Sequence, residues 1–342
     1  MDATGETNSE KRADIRERDV FLFSHPRTAS NLLCRLLSDQ PGWIQSEYHF
    51  FDAYQFIRKS FNWGPITGIT NEQRQKFEDL LQRGFVELQQ VRAATKAEGK
   101  RLFVKNHAYH LWEPSSFSQH IWGGADALPF TPLPYRNTDG LASTITTNPT
   151  FLPDEFLTSF LPIFLIRHPA LTFESWYGAE IRTGATKVFD KSVAHFTSFR
   201  YCRQLYDWFA SNDAGFAYRK EGSSNPAYPS TPIIIDADDI IEERSLVKLC
   251  DLCNMDASFL RYKWDIERPP EEELKLDHRL STFMGALWAS TSIDKSKTSR
   301  GIDMPVKYSQ WKDEFGTVVA DELYALVEGA MSDYTYLKDR KL

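Results

Sequence analysis

Two short stretches carry residues that could hold an anion. In Val20–Leu33, "VFLFSHPRTASNLL", an apolar run ends at His25 and Pro26. Arg27, Thr28, Ala29, Ser30 and Asn31 follow before apolar residues resume at helical spacing. A strand that runs into a helix leaves backbone N–H groups unpaired beside the positive end of the helix dipole. Arg27 supplies a fixed positive charge there, the N–H groups of Thr28 through Asn31 can converge on an oxyanion, and the Ser30 and Asn31 side chains can cap the helix and donate further bonds. Taken alone, the stretch reads equally well as a capped helix with Arg27 on the surface. It is not a Walker A loop, because the G-x-x-x-x-G-K-[ST] pattern is absent. The second stretch, "FLIRHPALTFESWY" (164–177), is another strand ending in an arginine, then a His-Pro turn and a helix. The eight-residue gap from Arg167 to Ser175 lets a strand-end guanidinium and a helix hydroxyl bind one phosphate.

These groups need elements to position them. Four apolar runs read as strands: "VFLFS" (20–24), "RLFVKNH" (101–107), "LPIFLIRHP" (161–169) and "TPIIIDADD" (231–239). Short continuous apolar runs alternating with helical patterns indicate a parallel sheet buried on both faces, so a three-layer α/β fold is expected. Helical spacing predicts helices over Ala29–Leu37, Asn71–Lys96, Leu171–Arg182, Val193–Ala210, Ser245–Cys253 and Asp321–Leu337. Residues 1–19 form a polar tail, and no linker interrupts 20–342, which reads as one domain. The stretch at about 110–153 is rich in Pro, Gly and Ser, and its aromatics Trp112, Phe117, Trp122, Phe130 and Tyr135 suggest a partly ordered substrate cover.

Composition narrows the function. The 342 residues carry 40 basic and 47 acidic side chains, a net charge of −7, which argues against a broad nucleic-acid footprint but leaves a small anion admissible. The N-terminal segment lacks the apolar core of a secretory signal, and no stretch reaches the roughly 18 uncharged apolar residues of a membrane span, so a cytoplasmic protein is expected. Of the four cysteines, Cys250 and Cys253 form a C-x-x-C inside an apolar helical pattern, which reads as core packing rather than a metal or redox site. No metal site is expected.

The motifs resemble those of sulfotransferases that use 3′-phosphoadenosine 5′-phosphosulfate (PAPS), a P-loop nucleotide-binding-like family. "PRTASN" (26–31) is similar to that family's 5′-phosphosulfate loop, and "RHPALTFES" (167–175) reproduces its 3′-phosphate motif with the same arginine-to-serine spacing. "RLFVKNH" looks like the strand that carries its lysine and catalytic histidine, and "SRGIDMPVKYSQWKDEFG" (299–316) looks like its C-terminal region, with Arg300, Gly301, Trp311, Lys312 and Phe315 in matching order. The resemblance runs from about residue 20 to 316. It implies PAPS, or its product 3′-phosphoadenosine 5′-phosphate, held by Arg27, Thr28, Ala29, Ser30, Asn31, Arg167, Ser175, Arg300 and Gly301. It also implies His107 as general base, with Lys105 and Arg27 on the transferring group. The sequence departs from the pattern where Ala29 replaces the loop glycine, so the loop is expected to use helix-compatible dihedrals without positive φ. Asn31 replaces a hydroxyl residue, and Leu32 stands where an adenine-stacking tryptophan is often found.

The expected reaction is sulfuryl transfer to a hydroxyl of a small molecule. The aromatics of 43–63 suggest that this acceptor is hydrophobic or aromatic. His110 is the rival base, and His25 and His168 either contact phosphate or fill their turns. Two alternatives stay open: the same fold recruited for a cyclisation, elimination or lyase step on a natural product, and a non-catalytic nucleotide-binding protein. The expected partner is a small-molecule acceptor, with a homodimer left open.

Overall fold

Strand β1 (Asp19–Ser24) has no exposed side chain between Val20 and Ser24, so both faces of the sheet are covered at its centre. In the computed structural model, residues 17–61, 64–123, 130–136, 142–184, 188–211, 232–267 and 278–342 are described. Around β1 stand β2 (Trp43–Glu47), β3 (Arg101–His107), β4 (Phe160–Ile166) and β5 (Ile233–Asp236), in the spatial order β2-β3-β1-β4-β5 with every pair parallel. The β-branched and aromatic content of these runs suits a buried, pleated surface. The register aligns Ser24 with His107 on one side and with Leu165 on the other, so the carboxyl ends of three neighbouring strands form one row. The chain builds to one side of β1 and then to the other, and ligand crevices open where an α/β sheet reverses direction in this way.

The longer helices are α1 (Ser30–Leu36), α2 (Phe51–Phe61), α3 (Asn71–Ala97), α4 (Pro114–Trp122), α5 (Pro169–Arg182), α6 (Arg200–Ser211), α7 (Glu243–Cys253), α8 (His278–Trp288), α9 (Met304–Phe315) and α10 (Thr317–Lys338). They flank the central sheet, giving the α/β architecture expected from the alternating pattern. All four expected strands form. β2 was not foreseen, because "WIQSE" is half-buried and carries too little apolar periodicity to announce itself. The helix expected over Val193–Ala210 divides into a 3-10 turn at Lys191–His195 and α6, since the Ser198 hydroxyl accepts the Arg200 N–H (3.1 Å) and starts a new helix.

Residues 1–16 of the expected polar tail lie outside the described residues. Cys250 and Cys253 are free thiols buried in the core, where burial pushes the Cys250 pKa up to about 11 and raises that of Cys253 as well. Part of the expected cover at 110–153, residues 124–129 and 137–141, lies outside the described residues, and the described aromatics pack on neighbouring rings. Trp112 meets Tyr201, Phe117 stacks on His195, Phe130 meets Phe77, and Tyr135 meets Phe85 and Phe156.

Candidate active site

A cavity of about 600 Å³ opens at the carboxyl ends of β1, β3 and β4. That is within the usual size range of small-molecule sites. Its lining includes Arg27, Ala29, Ser30, Asn31, Arg167 and Ser175, together with Tyr48, Tyr54, His107, Tyr109 and His110.

The loop between β1 and α1 sets the first wall. Arg27 and Ala29 both have positive φ, 66° and 68°, which corrects the expectation of helix-compatible dihedrals at Ala29. A left-handed residue with a Cβ costs about 1–2 kcal/mol. The surroundings impose it here: the Thr28 hydroxyl donates to the His25 carbonyl (2.7 Å), Arg167 donates to the Arg27 carbonyl (3.0 Å), and the Ala29 carbonyl accepts the first α1 bond from Leu33 (3.0 Å). Ala29 is itself the N-cap and offers no side-chain acceptor, so the expected capping by Ser30 and Asn31 does not occur. Asn31 instead accepts from the Lys105 ammonium and donates to the Met284 sulfur (2.8 Å).

Three groups from distant parts of the chain meet at this wall. Arg27 Nε donates to the Ser175 hydroxyl (3.0 Å), and its guanidinium also donates to the Phe283 carbonyl (2.8 Å). Arg167 bridges the Arg27 carbonyl and the Lys297 carbonyl (3.2 Å). Among the described residues no carboxylate forms an ion pair with Arg27 or Arg167. Burial, then the charges of Arg167 and Arg182, push the Arg27 pKa down to about 10, and burial likewise lowers that of Arg167 against the pull of Asp238, Asp236 and Glu174. Two crowded guanidiniums that lack carboxylate partners make a site for an anion.

A second group of lining residues centres on His107. Its Nδ1 lies 2.9 Å from the Ser24 hydroxyl and its Nε2 lies 3.2 Å from the Tyr48 hydroxyl. Burial, followed by the positive potentials of His110, Lys105 and His25, holds its pKa well below the usual range, so the ring is neutral at pH 7. Lys105 does not line the cavity. Its ammonium is 1% exposed, pairs with Glu47 and Asn31, and sits 4.6 Å from the centre of the Tyr48 ring. Burial works against its charge, but Tyr48, Cys34 and Glu47 outweigh that and raise its pKa.

Other sequence-predicted residues fall elsewhere. Thr28 is buried inside its loop, and neither Arg300 nor Gly301 lines the cavity. Arg300 pairs with Glu242, while Ser299 beside it is held by Asp238, which accepts from the Ser299 N–H (2.8 Å) and the Thr298 hydroxyl (2.9 Å). His25 is buried against Phe199 with its Nδ1 on the Pro26 carbonyl (2.7 Å), and His168 caps α5 by accepting the Ala170 N–H (3.2 Å), so both fill their turns. Burial lowers the pKa of His110 to about 3, and its Nδ1 lies 3.2 Å from the Asn106 side-chain oxygen.

Sequence reasoning missed Tyr48 and the segment from Phe283 to Lys297, many of whose residues line the cavity. Tyr48 had a usable signal only in hindsight of the sheet. It follows the residue of β2 that pairs with Lys105, two residues from His107 on the neighbouring strand. Among the described residues there is no cluster of His, Cys, Asp or Glu fit to hold a metal ion, and no helix is long and apolar enough to cross a membrane.

No family model and no solved structure matches the chain. Two curated proteins do. Sulfotransferase ppzF of Metarhizium rileyi is 35% identical over 338 residues, 94% of this chain and 95% of that protein. Sulfotransferase ppzF of Metarhizium majus is 34% identical over 339 residues, 94% of this chain and 96% of that protein. With both chains covered nearly end to end at that identity, the protein belongs to the sulfotransferases and is an enzyme of that kind.

Proposed function

We propose that this sulfotransferase takes its sulfuryl group from PAPS and passes it to a hydroxyl of a small hydrophobic or aromatic molecule, with His107 as the general base. The observation that carries this reading is the convergence of Arg27, Arg167 and Ser175 in a single cavity that His107 also lines among aromatic rings. The residues fit such a donor. Arg27 and the backbone of 28–31 suit its 5′ end, Arg167 and Ser175 suit its 3′-phosphate, and no carboxylate among the described residues forms a direct ion pair with either guanidinium, although Asp238, Asp236 and Glu174 act on Arg167 from a distance. When bound, PAPS supplies an activated sulfuryl group on a stable leaving group.

The chain supplies the rest. Sulfuryl transfer spreads charge over the transferring and leaving oxygens, so positioned cations and donors account for most of the acceleration. The neutral His107 ring offers a lone pair for the acceptor's proton. Tyr54, Tyr109, Trp176 and Phe196 line the acceptor side and suit an aromatic body.

Retention on immobilised adenosine 3′,5′-bisphosphate tests the donor assignment: Arg167→Ala should abolish it, and unchanged retention overturns it. Radiolabelled sulfate in the product separates sulfuryl transfer from a cyclisation, elimination or lyase step in the same pocket.

A further inference from the structure

Neither nitrogen of His107 faces the cavity unescorted. The Nδ1 side is occupied by Ser24, whose hydroxyl also lies 3.5 Å from the Asn106 carbonyl. That hydroxyl donates to the carbonyl, which leaves its lone pair to accept from Nδ1–H. The Nε2 lone pair then accepts from the Tyr48 hydroxyl at 3.2 Å. The chain of donors therefore runs in one direction, from Tyr48 O–H to His107, from His107 to Ser24, and from Ser24 to the Asn106 backbone.

Tyr48 is held in place at a cost. Its φ is 56°, a left-handed conformation that a bulky aromatic residue adopts only when the surroundings impose it, at about 1–3 kcal/mol. Its N–H donates to the Lys105 carbonyl (3.1 Å), its own carbonyl accepts from Phe51 (2.9 Å), and its ring face covers the Lys105 ammonium. Of the four non-glycine residues with positive φ among the described residues, Arg27, Ala29 and Tyr48 all line the cavity. Backbone strain of this kind gathers where side-chain position matters for function.

We infer that Tyr48 is a catalytic proton carrier: the acceptor meets the Tyr48 oxygen, and its proton reaches His107 through that hydroxyl. This rests on the sulfuryl-transfer reading. In the balanced step, the acceptor oxygen forms its bond to sulfur as the bond from sulfur to the bisphosphate oxygen breaks. The acceptor's proton passes to Tyr48 Oη while the Tyr48 proton passes to His107 Nε2, leaving imidazolium. The Tyr48 phenol remains protonated between turnovers: burial raises its pKa, Glu47 and Cys34 add to that, and Lys105 opposes them.

The test is Tyr48→Phe, which keeps the ring over Lys105 and removes the hydroxyl. Two acceptor probes are used with labelled donor in mildly alkaline buffer, 2-naphthol, which must lose its proton during transfer, and 4-nitrophenol, which is already largely ionised. The expected result is a loss of about 100-fold in kcat with 2-naphthol and a much smaller loss with 4-nitrophenol. Equal loss with both probes, or no loss with either, overturns the carrier role. Nitrogen-15 histidine spectra of the protein without donor or acceptor give a second readout. His107 should carry its proton on Nδ1, and its Nε2 signal should move in Tyr48→Phe. A proton on Nε2, or an unmoved signal, overturns the proposal. If the unaltered enzyme labels neither phenol, that result counts against the sulfuryl-transfer reading, and the nitrogen spectra then decide on Tyr48 by themselves.

Discussion

Arg27 and Ser175 lie 148 residues apart in sequence, yet the Arg27 Nε–H donates to the Ser175 hydroxyl across 3.0 Å. That bond joins the loop after β1 to the second turn of α5 and brings together the two motifs of the proposed anion site. A hydrogen bond to a charged group contributes roughly 1.5–3 kcal/mol, so Ser175→Ala should weaken binding of adenosine 3′,5′-bisphosphate about tenfold or more. Titration calorimetry reads this directly, and an affinity within twofold of the unaltered protein would remove Ser175 from the clamp.

On the proposed reading, in which His107 serves the acceptor, His107→Ala should lower turnover by about 100-fold or more while leaving bisphosphate affinity unchanged. Since burial and neighbouring cations depress its pKa, the acid limb of kcat/KM for the unaltered enzyme should fall below the usual histidine range near 6.5. A limb at or above that value would point to another base.

Stability should decline in mild acid. The folded-state pKa values of His25 and His110 are depressed to about 4 and about 3 by burial, against 6.5 in the unfolded chain. Below that unfolded value the unfolded state binds more protons, so stability is lost as pH falls from 6.5 toward the folded pKa values. Each histidine contributes up to about 2 kcal/mol of loss between about pH 7 and pH 5. Thermal melts across that window should show a steep fall in Tm, and a flat profile would contradict the burial of these rings.

Ala29 pays a left-handed penalty that glycine would not. Ala29→Gly removes about 1–2 kcal/mol of backbone cost and adds about 0.5–1 kcal/mol of unfolded-chain entropy, so Tm should hold or rise slightly. Ala29→Val places a β-branched residue at positive φ and should cost about 2 kcal/mol or more. Equal melting of the two variants would refute the left-handed geometry.

Lys105 is buried beneath the cavity and shares its charge with Glu47 and Asn31. Lys105→Met should therefore weaken bisphosphate binding less than Arg27→Ala does. The reverse order would mean that Lys105 reaches the donor directly.

The sequence by itself determined the scaffold and the chemistry-bearing strand ends. Continuous apolar runs could be satisfied only by a sheet covered on both faces, and the residues that follow such runs must emerge beside helix starts. Arg27, Arg167, Ser175 and His107 were legible for that reason. What the tertiary structure decided is which of the candidates meet. The parallel register put Ser24 beside His107, and the packing of α5 brought Ser175 to Arg27. Positive φ at Arg27, Ala29 and Tyr48 was imposed by long-range bonds that no local pattern encodes. Lys105 and Arg300 carry the right charge at matching positions, yet Glu47 and Glu242 draw them into ion pairs away from the cavity wall. Spacing along a chain fixes which residue follows which. The partner across the sheet, which sets where each charge points, is fixed only by the fold.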